Sequence, residues 1–127
     1  MSLRLNIQGE YSPDWPEIAD RVRAEAGGQC IRCDHPDDPV NGYALTVHHF
    51  DGNKSNNEWW NLMALCQRCH LKVQGRVNPD IVYFLEHSEW AKIYIAGFYA
   101  KKYECRSITR EEAASRINQL LSYERIA

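Results

Sequence analysis

Apolar residues recur at helical spacing in three stretches of the chain and alternate with a period of two in one. From residue 14 onward, Trp15, Ile18, Ala19, Val22 and Ala26 fall on one face of an amphipathic helix. Asp14 is its candidate N-cap with Glu17 as capping-box partner, Pro16 suits the first turn, and Gly27-Gly28 predict a left-handed stop. A second helix is predicted from Asn78-Pro79 towards Tyr103, with a break expected at His87-Ser88 or Gly97. Its aromatics (Tyr83, Phe84, Trp90, Tyr94, Phe98, Tyr99) read as core rather than as a platform for stacking bases. A third helix opens at Thr109, with Glu112 as capping-box partner and Ala113, Ile117, Leu120 and Leu121 on one side. Between the first two helices the period changes. "YALTVHH" alternates as a strand does, "DGNKSNN" is turn chemistry, and "EWWNLMAL" predicts an extended return. "QRCHLKVQGR" then predicts a short helix ending at Gly75, and Trp59 and Trp60 are expected to pack this unit against the long helix.

Composition alters this picture little. With 127 residues, 44% hydrophobic and 25% charged, the chain suits one domain of residues 1–127 with its own core. No apolar run nears the roughly 18 residues of a membrane span. The N-terminus lacks an apolar signal segment, so an intracellular, cytoplasmic protein is expected, with its thiols reduced. The net charge is −2, but its distribution is uneven. Residues 1–51 hold nine acids against four bases, whereas residues 52–76 hold Lys54, Arg68, Lys72 and Arg76 against Glu58 alone. Such a local positive field can attract phosphates, although a solvated basic helix face would read the same way.

The candidate chemistry lies in that same stretch. Cys30-x-x-Cys33 and Cys66-x-x-Cys69 have metal-knuckle spacing, with 32 residues between the pairs. Two such knuckles complete a tetrathiolate site suited to structural zinc, which leaves no open position for catalysis. The alternatives are two disulfides, buried thiols, or His35 replacing one cysteine as ligand. Cys105 has no partner and is expected to be a packed thiol. His48 and His49 are adjacent on the predicted strand, so their rings should point to opposite faces. His70 follows Cys69 directly, at the start of the short helix.

In order, the pattern "C-x2-C … VHHF … N-L-x2-L-C-x2-C-H" over residues 30–76 resembles the HNH endonuclease family in its zinc-stapled form. The resemblance implies an α+β, mostly helical fold. Its centre would be a ββα-metal motif with a four-cysteine zinc site, between an N-terminal helix of about 14–27 and two C-terminal helices within about 78–125. It also implies that His48 and His70 hold a catalytic divalent cation, that His49 is the general base, and that Asn61 orients the base or approaches the metal. Some members have a further histidine one helical turn on, where this chain has Gln74. Two imidazole ligands favour Mn²⁺ or another transition ion over Mg²⁺. The expected activity is hydrolysis of DNA phosphodiesters, nicking one strand per monomer, with a monomer favoured. Lys54, Arg68, Lys72 and Arg76 are candidate phosphate contacts, as is Arg32, and Asp51 is a candidate support for the metal site. The competing readings are a catalytically silent zinc module that binds nucleic acid and an adaptor subunit of a larger complex.

Overall fold

Residues 45–66 form a hairpin because alternating side chains there find a buried partner on both faces. β1 (Leu45–His49) pairs antiparallel with β2 (Leu62–Cys66), from Leu45 opposite Cys66 to His49 opposite Leu62. The computed structural model describes residues 10–74 and 89–125. All five residues of β2 are buried, whereas β1 is buried only at its two ends. Thr46 and His48 therefore share one face of the sheet, and Leu45, Val47 and His49 the other. The return expected over residues 58–65 is split: Trp59–Asn61 is a single 3-10 turn, and the strand begins only at Leu62.

Helix α1 (Trp15–Glu25) packs on the face carrying His49, and α2 (Gln67–Gln74) follows β2 without a gap on the face carrying His48. The left-handed stop of α1 is formed, with Gly27 and Gly28 both at φ +73°. The capping box at its start is not. Asp14 lies at φ −96°, ψ 22°, outside the extended region from which a side chain reaches back to the first turn, so only its carbonyl accepts. The HNH-type α+β arrangement is thus present: two strands, a crossing helix, and four cysteines drawn together.

Helix α3 (Lys92–Glu104) runs through Gly97 without a break. The glycine serves close approach instead: a Cβ there would lie 2.6 Å from Trp60 Cβ and 2.9 Å from Trp59 Cζ2. Trp60 meets Phe98 at 5.6 Å between ring centroids, Trp59 meets Tyr94 at 6.1 Å, and Phe50 meets Phe98 edge-on at 5.5 Å. The tryptophans do fasten the hairpin to the long helix, as their apolar surface predicts. The expected start at Asn78 and residues Tyr83, Phe84 and His87 lie outside the described residues.

Thr109 caps α4 (Arg110–Ser115), accepting from Glu112 N–H at 3.0 Å. Glu112 does not reciprocate; its carboxylate pairs with Arg106 at 2.6 Å. The single helix expected there is broken at Arg116, so α5 (Ile117–Leu121) follows as a separate segment and three helices, not two, are described after residue 89. Arg116 spans the junction by making a two-pronged contact with Glu104 at the end of α3, and Tyr123 donates to the same carboxylate at 2.6 Å. These partners hold the Glu104 carboxyl at about 2, below the ordinary range. Cys105, expected to be packed, is exposed, because it ends α3 in the left-handed conformation at φ 56°.

Candidate active site and metal centre

The thiols of Cys30, Cys33, Cys66 and Cys69 all lie within 4.8 Å of one another, and Cys33 Sγ is 3.8 Å from Cys66 Sγ. A tetrahedron with metal–sulfur bonds of about 2.3 Å has edges of about 3.8 Å, so the spacing suits zinc. Each pair sits on a tight turn whose amides point at sulfur. Arg32 and Cys33 N–H approach Cys30 Sγ at 3.4 and 3.5 Å, and Cys69 N–H approaches Cys66 Sγ at 3.4 Å. Ile31 N–H donates to the Ala64 carbonyl at 3.0 Å, which ties the first knuckle to β2.

Burial pushes the Cys69 thiol up to about 12 and raises Cys33 as well. Burial also acts to raise Cys30, but the amides around it outweigh that effect and lower it. Arg32 contributes here rather than as an open phosphate contact: its guanidinium reaches Cys69 Sγ at 3.3 Å, opposing the charge of the thiolates. His35 is not turned to the thiols. It stacks on Tyr43 with centroids 3.5 Å apart, and its Nδ1 meets the Pro36 carbonyl at 2.8 Å.

On the α2 face, His48 Nδ1 and His70 Nε2 are 3.3 Å apart. Two adjacent nitrogen ligands with bonds of about 2.1 Å subtend roughly 100° at that separation, so one cation can be held by both. Thr46 fixes the geometry of His70. Its hydroxyl donates to the Leu65 carbonyl at 2.7 Å and so must accept from His70 Nδ1, also 2.7 Å away. The proton therefore resides on Nδ1, and the Nε2 lone pair faces His48. Burial lowers the pKa of both rings, His48 to about 4 with further lowering from His70 and His49, so both are neutral, the ligating form. His48 Nε2, the nitrogen that does not face His70, is buried without a partner.

His49 lies on the other face and is 6% exposed. Residues outside the hairpin cover it: Trp15 lies 4.7 Å from its ring centroid and Tyr11 5.8 Å. Tyr11 is itself 52% exposed and carries Lys54 Nζ at 5.0 Å over its ring, so the cover is one aromatic layer thick at that point. Burial lowers the His49 pKa; Asn57 and Asp51 act to raise it, and Lys54 to lower it.

No hydrogen bond among the described residues joins Asn61 to His49. Asn61 is fully buried, its Oδ1 accepts from Asp51 N–H at 2.8 Å, and its Nδ2 donates to the Asn56 carbonyl at 2.8 Å. Both ends of its carboxamide are thereby committed to bracing the loop after β1. Asp51 is committed likewise, its two oxygens accepting from Asn53 N–H and Asn56 Nδ2, each at 2.8 Å. Lys72 is exposed on α2, whereas Arg68, though exposed, donates to the Asn41 and Gly42 carbonyls at 3.2 and 3.3 Å and lies over Tyr43. Arg76 lies outside the described residues.

A knuckle-held thiolate cluster, an imidazole pair across a hairpin and helix, and a loop-bracing asparagine thus occur together within residues 30–70. Residues 30–76 match the family model of the HNH endonucleases. Comparison with curated proteins and with solved structures gave no match. The HNH match supports a nuclease-type, metal-binding function and a nucleic-acid substrate, and the four-cysteine cluster fits structural zinc. No helix among the described residues is long and apolar enough to cross a membrane.

Four contributors to this site have no place in the matched motif. Thr46 could have been inferred, since it lies two residues before His48 and so on the same face of the strand. Trp15 and Tyr11 carried only a packing signal, and Asn57 was indistinguishable from its turn-forming neighbours Asn53 and Asn56.

Proposed function

We propose that the chain is a divalent-metal-dependent DNA endonuclease that hydrolyses one phosphodiester per catalytic centre, so that a monomer nicks duplex DNA. The observation that carries this reading is the 3.3 Å approach of His48 Nδ1 to His70 Nε2, both neutral by burial, inside an HNH-matched segment. A divalent cation held by His48 and His70, Mn²⁺ or Mg²⁺ in kind, would supply charge stabilisation on the phosphoryl oxygen and the leaving 3′ oxygen. His49 takes a proton from the attacking water, for which burial keeps it in the required neutral state. Asn61 contributes by holding the loop that follows the base, and Lys54, exposed on that loop, is the candidate phosphate contact. The zinc cluster fixes the start of α2, and hence His70, against the hairpin.

One observation favours a second reading, a catalytically silent nucleic-acid-binding module: the ring of His49 is enclosed. A time course on supercoiled plasmid decides between them. Nicking that requires Mn²⁺ or Mg²⁺ and stops with chelator is the expected result. His49→Ala should cost about 10²–10⁴ in rate, the usual worth of a general base. Full activity in that variant, with zinc retained, would remove His49 from its role, and no nicking with any divalent ion would favour the silent module.

A further inference from the structure

A cavity of about 430 Å³ opens on the sheet face that carries His49. Its floor is Leu62 and Ala64 of β2, and Leu62 is the ladder partner of His49. Residues directly opposite in an antiparallel pair share a face, with Cβ atoms about 4.5–5.5 Å apart, so the cavity begins one side chain from the proposed base. Asn57 also lines it, and its Nδ2 donates to Ser12 Oγ at 2.6 Å, in the segment that covers His49. The remaining walls come from α1, the Trp59–Asn61 turn, α3 and the start of α4.

The lining combines an apolar floor with charge that the protein leaves unpaired. Arg21 and Glu25 stand one turn apart on α1, and Arg110 opens α4. All three are exposed, and no ion pair among the described residues engages any of them. Arg110 is held instead by cation–π contact, 4.8 Å over the Trp59 ring and 5.2 Å over that of Tyr94, which both line the cavity. Trp59 is fixed in turn by donating Nε1–H to the Ile108 carbonyl at 2.8 Å. Two guanidiniums against one carboxylate give the lining one net positive charge, the complement of a single phosphodiester. The volume lies within the about 300–1,000 Å³ usual for sites that take a small molecule, and the apolar floor suits one face of a flat ring. Charge and shape together fit a nucleotide.

We propose that this cavity binds one nucleotide of the DNA strand, its base over Leu62 and Ala64 and its phosphate on Arg21 and Arg110, next to the phosphodiester to be cut. The placement beside the cut rests on the nuclease reading; the nucleotide site does not. A base enters only by leaving its stack, which costs least where pairing is already broken. Substrates with an unpaired nucleotide are therefore favoured over a continuous duplex.

Methyl NMR of the zinc-loaded full chain, labelled at alanine and free of other divalent ions so that the DNA stays intact, tests the site. The probes are a short duplex with one bulged nucleotide, the same duplex fully paired, and deoxycytidine monophosphate. The bulged duplex should shift the methyl signals of Ala26 and Ala64, which line the cavity, and leave that of Ala100 in place. It should also bind at least about tenfold tighter than the paired duplex. Arg21→Ala combined with Arg110→Ala should abolish this preference. An equal weakening of both duplexes would show general charge attraction alone and would overturn the proposal. Equal affinity of the wild type for both duplexes, or cavity methyls unmoved by every probe, would overturn it as well, whether or not the variant folds. Shifts with deoxycytidine monophosphate alone would overturn the placement of the strand and leave a free-nucleotide site. Cavity binding without nicking under any divalent ion would uphold this site and sink the nuclease reading, whereas nicking with unmoved methyls would do the reverse.

Discussion

Replacing Gly97 by alanine sets two effects of opposite sign against each other. Helix propensity alone predicts stabilisation, because glycine inside a helix costs about 0.5–1 kcal/mol relative to alanine. Packing predicts the reverse. The new methyl carbon would lie 2.6 Å from Trp60 Cβ and 2.9 Å from both Trp59 Cζ2 and Trp60 Cδ1. Carbon atoms pack at about 3.5–4.0 Å, so α3 and the Trp59–Asn61 turn must separate by roughly 1 Å. The closest of these contacts is to a Cβ, which cannot swing aside as the end of a flexible chain would, and Trp60 is only 3% exposed. Overpacking of this kind costs about 1–3 kcal/mol, and the rigid contact places Gly97 at the upper end of that range. Subtracting the propensity gain leaves a net loss of about 2 kcal/mol. For a chain of this length, that lowers Tm by roughly 6–10 °C. Thermal unfolding of zinc-loaded wild type and Gly97→Ala, followed by far-UV circular dichroism, measures the difference. A variant as stable as wild type, or more so, would mean that propensity dominates and that the α3–turn contact is not a rigid one.

Three further perturbations reach the parts of the site separately. Asn61→Ala strands Asp51 N–H and the Asn56 carbonyl in a buried place and should cost about 2–4 kcal/mol; hydrogen exchange at Asp51 N–H should accelerate, and unchanged protection would show that the loop does not depend on Asn61. Thr46→Val keeps the side-chain shape but removes the hydroxyl that sets the His70 tautomer, so Mn²⁺ affinity should fall about 10–100-fold with zinc retained; calorimetry with Mn²⁺ reads this directly, and an unaltered affinity would show that His70 needs no such partner. Zinc affinity should rise with pH. The Cys69 thiol, pushed up to about 12 by burial, is protonated in the metal-free chain at neutral pH and must release that proton on binding, which alone gives about tenfold per pH unit. Competition titrations with a chromophoric chelator at pH 6.5 and 7.5 test the sign, and a pH-independent affinity would contradict it.

Local rules in the sequence determined the parts of this protein whose geometry is set over a few residues. The cysteine knuckles, the left-handed stop at Gly27-Gly28, the Thr109 cap and the strand alternation that sends His48 and His49 to opposite faces all follow from spacing and backbone preference. The approach of His48 to His70 was legible only through the HNH pattern, since 21 residues intervene and no local rule measures that distance. Tertiary structure decided what depended on which neighbour reached a polar group first. Asn61, Asp51 and Arg68 read as candidate functional groups, yet each is claimed by nearby backbone. Asn57 read as one turn residue among several, yet its side-chain amide ties the loop to Ser12, in the segment that covers His49. The reason is physical: a carboxamide or guanidinium takes whatever partner the packed chain brings within about 3 Å, and that proximity is written in contacts between distant segments rather than in the order of the residues.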